Sequence, residues 1–586
     1  MIEDGISPKN ILLFTFTKKA ANEIKERVYK KIGPKSKGIT VGTYHSFCSK
    51  LLRLYADKIG WTRNYSIYDE DDKKKLLKEL CKKTIPAVEP QNASQMISHW
   101  RMNLVSPSEA LLGASGRYFE SLARIYQQYS QRMKANNAFD FDGLIYYTIE
   151  LLDNYPEVKE AINDKYTYIT CDEAHDSSPE DLHLIELLGG KSMNVCLILD
   201  ADQSIYSFRG ANMRSVYDFM KTYNFKQFML EQNYRSTKTI VNASRSMIKN
   251  NDEPIKKTVF TENEVGNSIM LSALTNSTDE ANHVVRIVKA LKKKGMAYKD
   301  MAILYRMQFL SRRIEKAMLK NRIPYKITGG LAFYARQEIK DIMAYVRFLL
   351  NPNDSEALRR IINVPKRGIG DKTLEKVFTY ADEHGTIDNG GLLSACKNVK
   401  VTKTTRENLN RFIAVIETLT EYCLANSPED IVKEIINMVH YEDYISETAE
   451  EELVPEKLAN LVELREVACN YVDLADFSNN VIMNTQMTEE QDEDDYVNLM
   501  TMHASKGLEF PAVIIVGANE EVVPHIKAIQ AGDISEERRL FYVGMTRAEK
   551  YLFITYPTTV LTKRGVFPNK PSRFIKEINS QYVVKT

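Results

Sequence analysis

Tyr166-Thr167-Tyr168-Ile169-Thr170-Cys171-Asp172-Glu173 is a short apolar, β-prone run that ends in two carboxylates. Residues 194–199 repeat the pattern and run into Asp200-Ala201-Asp202-Gln203. Upstream, residues 10–16 and 39–43 have the same strand character. Each leads into a helical pattern, the first over 17–32 with Lys and Glu on its exposed side, the second from Ser46. Strand and helix in alternation, with carboxylates at the strand ends, predict an α/β fold built on a doubly wound parallel sheet. Such sheets set their ligand sites at the C-terminal ends of the strands.

Residues 51–137 read as mostly helical and charged, an insertion more than a continuation of the sheet. A second α/β unit follows Leu230, with strands predicted at 268–274, 301–305 and 325–328. A helical stretch then covers 338–476, and Glu-Glu-Gln-Asp-Glu-Asp-Asp at 489–495 reads as a solvated acidic linker. Strand character returns at 496–502 and 512–516. The predicted organisation is a first core over 1–52 and 139–230, interrupted by a helical insertion over 53–138. A second core over 231–331 and 496–586 is interrupted by a helical accessory insertion over 332–495.

At 586 residues, a prior of roughly 150 residues per domain gives about four domains. A formal net charge of +1 gives no global attraction to nucleic acid, so any basic track must be local. The seven cysteines are scattered without a Cys-x-x-Cys pair, which argues against a metal site and for reduced thiols inside a cell. No apolar run approaches the roughly 20 residues that span a bilayer, and the start lacks a signal peptide's basic and apolar regions. A soluble, cytoplasmic protein is expected.

An Mg²⁺-dependent nucleotidase needs one carboxylate for the metal and another to orient or deprotonate water, and Asp172-Glu173 offers both. Taken alone, such a pair is more often a solvated strand end. Gln203, at the end of the next strand, is placed to sense a γ-phosphate. Tyr206, Phe208 and Arg209 offer ring and guanidinium faces, and stacking contributes roughly 1–3 kcal/mol per base without reading sequence. The alternative is a core Tyr/Phe pair at helical spacing.

Ordered segments then carry a specific resemblance. They are Thr15-Phe16-Thr17-Lys18-Lys19-Ala20-Ala21, Gly42-Thr43-Tyr44-His45-Ser46-Phe47, Phe139-Asp140-Phe141-Asp142, Asp172-Glu173, the stretch from Asp200 to Gly210, and Gln232-Asn233-Tyr234-Arg235-Ser236-Thr237. Leu499-Met500-Thr501-Met502-His503-Ala504-Ser505-Lys506-Gly507-Leu508-Glu509-Phe510 and Glu536-Glu537-Arg538-Arg539-Leu540-Phe541-Tyr542-Val543-Gly544-Met545-Thr546-Arg547-Ala548 close the series. Together they resemble the UvrD/Rep/PcrA family of superfamily 1 DNA helicases, essentially from end to end. The resemblance implies two RecA-like cores, ATP and Mg²⁺ as cofactors, and 3′-to-5′ unwinding of duplex DNA in repair or replication. It also implies single-stranded DNA and its junction with duplex as partners, with protein partners besides.

By the same resemblance, Asp172 holds Mg²⁺, Glu173 activates water, Gln203 couples nucleotide to DNA, and Tyr234 stacks on adenine. Arg235 and Arg547 act as arginine fingers and Glu509 contacts the sugar, while Phe16, Thr43, His45, Tyr206, Phe208, Arg209 and His503 line the single-strand path. Ile323-Pro324-Tyr325, Gly329-Gly330, Phe333-Tyr334, Glu338–Asp341 and Pro365-Lys366-Arg367-Gly368-Ile369-Gly370 resemble the accessory domain and its approach, the last as a duplex-contacting hairpin turn.

Five positions depart from the pattern. His175 and Asp181 stand where glutamine is usual, Phe208 where tryptophan is, and Leu199 and Glu521 where glycine is. No Gly-x-x-x-x-Gly-Lys-Ser/Thr loop occurs, and Gly189-Gly190-Lys191-Ser192 fails as a substitute because it follows a helix and precedes a strand. The expectation is therefore a helicase whose sequence starts within the helix after that loop, with little ATPase activity alone. A nonhydrolysing DNA-binding protein on the same scaffold, or a subunit completed in trans, are the other readings.

Overall fold

In a computed structural model the chain divides into two compact units, one of residues 1–231, 251–258 and 533–542, the other of 232–250, 259–532 and 543–586. The structure describes every residue except 64, 69, 83, 85, 329–335, 385–390, 450–452, 479, 480, 482–494, 563 and 564. Gly329-Gly330, Phe333-Tyr334 and residues 489–494 of the predicted linker thus lie outside the described residues.

The strands of the first unit are β1 (Ile11–Phe14), β2 (Thr40–Gly42), β3 (Ser66–Tyr68), β4 (Ala138–Asp140), β5 (Tyr168–Cys171) and β6 (Val195–Leu197). Four of them form one parallel sheet in the order β2-β1-β5-β6. Phe14 is in register with both Gly42 and Cys171, and Cys171 with Leu197, so all four strands end at one level. Leu12, Phe14, Phe47, Leu51, Ile169 and Leu184 are buried in the core beneath. Helices α1 (Lys18–Ile32) and α2 (Tyr44–Tyr55) start directly after β1 and β2. Thr17 and Thr43 cap them by accepting the amides of Ala20 and Ser46. Strand β6 lies at the margin of this sheet.

The insertion, expected to be mostly helical, also holds β3, which pairs in parallel with β4. Helices Glu70–Cys81, Pro90–Met102 and Arg117–Ala135 enclose their own core of Leu77, Ile97, Tyr126 and Tyr129. Buried charge fastens this layer to the sheet unit. Asp140 accepts from Arg101 Nη1 at 2.5 Å, Tyr129 Oη at 2.9 Å and the Gly143 amide at 2.9 Å, so it also caps helix Phe141–Asn154. Lys73 Nζ reaches Asp142 Oδ2 at 2.8 Å.

The second unit holds β7 (Ile269–Leu274), β8 (Met301–Tyr305), β9 (Tyr325–Thr328), β10 (Val497–Thr501), β11 (Phe510–Ile515), β12 (Ala548–Pro557), β13 (Thr559–Thr562), β14 (Gly565–Pro568) and β15 (Val583–Lys585). Seven strands make a parallel sheet in the order β15-β7-β12-β11-β8-β10-β9, and β13 and β14 form a hairpin. The accessory helices, from Gln337–Leu350 to Val454–Ala468, surround a separate core containing Ile342, Tyr345, Phe412, Ile435 and Leu464. Pro365–Gly370 is a turn between helices Ser355–Ile361 and Asp371–His384, and Gly368 has φ +70°, a conformation glycine adopts without strain. Arg367 faces inward there, donating to the carbonyls of Ile361 at 2.9 Å and Val364 at 3.2 Å, while Lys366 is exposed. All seven cysteines are free thiols, and no described helix is long and apolar enough to cross a membrane.

Candidate functional site

The acidic residues of the first unit emerge where its strands end. The Asp172 amide donates to the Phe14 carbonyl at 2.9 Å, and the Ala174 amide to that of Ile198 at 2.9 Å, so the chain beyond β5 stays pinned between its neighbours. Glu173 takes the left-handed conformation, with φ +56°. For a residue with a side chain this costs on the order of 1–2 kcal/mol, and such strain clusters at functional sites. His175 is 2% exposed; its Nε2 lies 3.1 Å from Glu173 Oε2, and its Nδ1 accepts the Asp200 amide at 3.0 Å.

Asp200 gathers further partners. Gln203 Nε2 donates to its Oδ2 at 2.8 Å, and the Lys257 ammonium pairs with its Oδ1 and with Asp202 Oδ2, the latter at 3.0 Å. Burial alone would raise the pKa of Asp200, but the Lys257 charge and hydrogen bonds from Lys257 and Gln203 outweigh it and hold the carboxyl below its usual range. Asp202 goes the other way, raised first by burial and then by the Asp200 charge, with Lys257 only partly opposing. Lys257 itself is raised, because its carboxylate partners outweigh the burial that would lower it. Arg539 donates to the Ser204 carbonyl at 2.8 Å and pairs with Glu253 at 2.9 Å. Lys257 does not stand out in the sequence, and Arg539, although within the segment from Glu536 to Ala548, carries no assigned role there. Lys257 sits in a plain basic pair, and the carboxylates it serves are 57 and 55 residues earlier (257 − 200 and 257 − 202).

Phe16 and Tyr206 stack with ring centroids 5.1 Å apart and planes 14° apart, and Phe208 meets Tyr206 edge-on at 5.8 Å. Phe208 is 70% exposed, so this is not a core pair. The Arg209 side chain lies outside the described residues. Thr43 serves as the cap of α2, and His45, in its first turn, packs edge-on against Phe141 at 5.9 Å. The structure thus joins Phe16, Tyr206 and Phe208 in one ring cluster, with Thr43 and His45 on the neighbouring strand end.

Of the departures, Asp181 has a clear local role: its carboxylate accepts the Ser178 amide at 3.0 Å and hydroxyl at 2.9 Å, closing a capping box on helix Pro179–Gly189. Glu521 has φ +68°, the backbone that suits a glycine.

In the second unit Arg235 Nε donates to Glu509 Oε2 at 2.7 Å and its Nη1 to the Thr546 carbonyl at 3.2 Å. Arg547 is 2% exposed; it donates to the carbonyls of Val543 and Leu508, both at 3.1 Å, and to the Thr546 hydroxyl at 3.3 Å. Thr546 therefore joins the two guanidiniums, with Glu509 as counter-charge. The Tyr234 ring is 78% exposed, its hydroxyl tied to Gln232 at 3.0 Å, so a planar face is open to a ligand. His503 lies half-buried in the turn after β10.

Residues 1–224 match the UvrD/REP helicase N-terminal domain, and residues 228–559 the UvrD-like helicase C-terminal domain. The ATP-dependent DNA helicase PcrA of Staphylococcus aureus (strain NCTC 8325 / PS 47) is 38% identical over 592 aligned positions, which cover 98% of this chain and 80% of that protein. The PcrA of Staphylococcus epidermidis (strain ATCC 12228 / FDA PCI 1200) is 38% identical over 590, covering 98% and 81%. With two parallel-sheet cores, strand-end carboxylates and these matches along its length, the chain belongs to the UvrD-like family of superfamily 1 helicases.

Proposed function

We propose that the protein is an ATP-dependent DNA helicase that translocates 3′ to 5′ along single-stranded DNA and unwinds duplex in repair or replication, in the cytoplasm. The observation that carries this is the strand-end cluster of the first unit. There Asp172 and Glu173 follow β5 and Gln203 lies beyond β6, while the stacked rings come from Phe16 after β1 and from Tyr206 and Phe208 farther along the segment after β6.

Asp172 would hold Mg²⁺, a hard cation that suits one or two carboxylates together with phosphate oxygens. Bound there, the metal supplies charge neutralisation between the phosphates. Glu173 takes the proton of the attacking water, and Gln203, fixed on Asp200, reports the nucleotide to the ring cluster. Arg235 and Arg547 spread positive charge over the transferred phosphoryl group, a contribution of ~10³–10⁵ in rate for such arginines. Tyr234 stacks on the base, Glu509 contacts the sugar, and Phe16, Thr43, His45, Tyr206, Phe208, Arg209 and His503 line the DNA. Two cores at 1–52 with 139–230 and at 231–331 with 496–586, each carrying a helical insertion, are the domains we assign. The exposed Lys366 and Gly368 of the accessory turn face duplex at the junction.

Phosphate binding in such nucleotidases uses a Gly-x-x-x-x-Gly-Lys-Ser/Thr loop, which these 586 residues do not contain. The chain is therefore expected to bind a single-stranded oligonucleotide with steep salt dependence while hydrolysing ATP at background. Joined to a strand–loop–helix segment bearing that motif, it should gain DNA-stimulated hydrolysis that Glu173→Gln abolishes, and should unwind 3′-tailed but not 5′-tailed duplex. Robust DNA-stimulated turnover by the 586-residue chain, lost in Glu173→Gln, would overturn the loop dependence. Absence of single-strand binding would overturn the helicase reading.

A further inference from the structure

The segment that carries Tyr206 and Phe208 has little of its own to hold it. After Gln203 the chain reaches a single 3₁₀ turn, Ser207–Arg209, closed by the Gly210 amide on the Ser207 carbonyl at 2.9 Å. Ser207 is exposed and so is the Phe208 ring, so burial does not fix the turn. Yet the rings keep a defined arrangement, Tyr206 stacked on Phe16 and Phe208 edge-on to Tyr206.

The restraint comes from residues 533–542, which belong to the first unit although they lie far along the sequence. The Ser207 amide donates to Glu536 Oε1 at 3.0 Å, and its hydroxyl donates to Glu536 Oε2. The first amide of a turn has no partner within the turn, and a carboxylate makes a stronger acceptor for it than a neutral group. Arg539 Nε donates to the Ser204 carbonyl at 2.8 Å. Glu536 and Arg539 stand three residues apart in helix Ser535–Met545, a spacing that puts both on one face. Arg539 is itself fixed, its Nη1 on Glu253 Oε1 at 2.9 Å, while Glu253 Oε2 accepts the Tyr217 hydroxyl at 3.2 Å. One helix face thus holds an acceptor before Tyr206 and a donor after it.

We propose that Glu536 and Arg539 are positioning residues for the ring cluster: they fix the backbone on either side of Tyr206 and so present Tyr206 and Phe208 for stacking on bases. This rests on the reading of those rings as part of the single-strand path. Neither side chain serves as a phosphate contact, because a carboxylate repels phosphate and Arg539 is committed to Ser204 and Glu253.

The test is binding of a fluorescein-labelled oligothymidylate to the full chain, followed by anisotropy over a range of salt. Removing both rings, with Tyr206→Leu and Phe208→Leu, should weaken binding roughly 5- to 150-fold per base unstacked. Glu536→Ala should weaken it at least about twofold, as expected within one hydrogen-bonded network. Its salt dependence should match wild type, since no phosphate contact is lost. Arg539→Met, combined with Glu253→Gln to avoid an unpaired carboxylate, should behave in the same way. A salt slope lowered by about 1 would reveal a direct phosphate contact and overturn the proposal. In the chain lacking both rings, the Glu536 and Arg539 substitutions should add no further loss. Glu536→Gln keeps an acceptor for the Ser207 amide and should lie between Glu536→Ala and wild type. Equal loss in both would assign the effect to charge in the first helical turn and overturn the contact. Hydrogen exchange gives a readout without DNA: the Ser207 amide should exchange faster in Glu536→Ala while helix Ser535–Met545 keeps its protection. Unchanged Ser207 exchange, or an undiminished loss of affinity in the chain lacking both rings, would overturn the positioning role. Unchanged binding on removal of the rings would instead overturn the reading of the rings, which the Ser207 exchange does not touch.

Discussion

Strand β8 of the second sheet is buried along its whole length, Met301–Tyr305, between β11 and β10. Strand β6, at the margin of the first sheet, leaves Cys196 exposed and is followed by Ile198, 47% exposed. Parallel sheets ordinarily bury both faces, and β8 follows that rule where β6 does not. The first unit instead carries buried charge: Lys257 between Asp200 and Asp202 beyond β6 of this sheet, and, around the end of β4 in the separate β3–β4 pair, Arg101 on Asp140 and Lys73 on Asp142. Such pairs add little net stability over apolar packing, but breaking one leaves an uncompensated charge. The second sheet is built on apolar burial, whereas the first carries carboxylates at and beyond its strand ends.

Removing Lys257 should test this contrast most severely. Lys257→Met leaves Asp200 and Asp202 without their shared cation and should cost the first unit about 3–5 kcal/mol. Hydrogen exchange would rise across residues 195–203 and stay unchanged across β8. The sign with pH comes from the depressed pKa of Asp200. Its contribution is present above the unfolded value of about 3.9 and is lost as pH falls through the lower folded value, so the gap between variant and wild type narrows in acid. Unchanged exchange at neutral pH would remove the charge-based account.

Matched truncations compare the sheets directly. Ile303→Ala, at a fully buried position of β8, should cost about 2–5 kcal/mol, whereas Ile198→Ala beside β6 should cost under about 1 kcal/mol. Equal losses in local exchange stability would break the comparison.

Glu180 sharpens it in the opposite direction. The residue is buried, its Oε2 has no hydrogen-bond partner among the described residues, and burial followed by the Asp181 charge holds its pKa well above the ordinary range. A carboxyl that keeps its proton when folded but loses it when unfolded destabilises progressively as pH rises above about 4.3, by at most ~1.4 kcal/mol per unit. Glu180→Gln should therefore stabilise the first unit by about 1–3 kcal/mol at pH 7, with the gain vanishing towards pH 4, read from thermal midpoints across that range.

The smallest effect belongs to the second unit. Glu521→Gly removes the side chain from a left-handed position and should raise the urea midpoint by an amount equivalent to about 0.5–1 kcal/mol.

Much of this was legible in the chain. Every predicted strand is present within a few residues of its expected ends, because apolar runs bounded by carboxylates or turn residues are local signals. Strand β12 was not predicted, although it lies between β7 and β11. Glu549 and Lys550 interrupt its apolar pattern at the start, and partner strands on both sides bury much of its remaining length. The acidic motif around Asp140 was visible, but its role as cap and anchor was not: Arg101 is 39 residues away and Lys73 is 69 from Asp142.

The sequence by itself determined the family, the α/β class and the identity of the carboxylates, arginines and aromatics, since these depend on residue type and order. Only the tertiary structure decided what those groups touch. It placed the Asp200 amide on His175, Lys257 on two carboxylates, and Thr546 between two arginines. Spacing along a chain cannot encode such contacts, because each depends on which strand end the fold sets beside another.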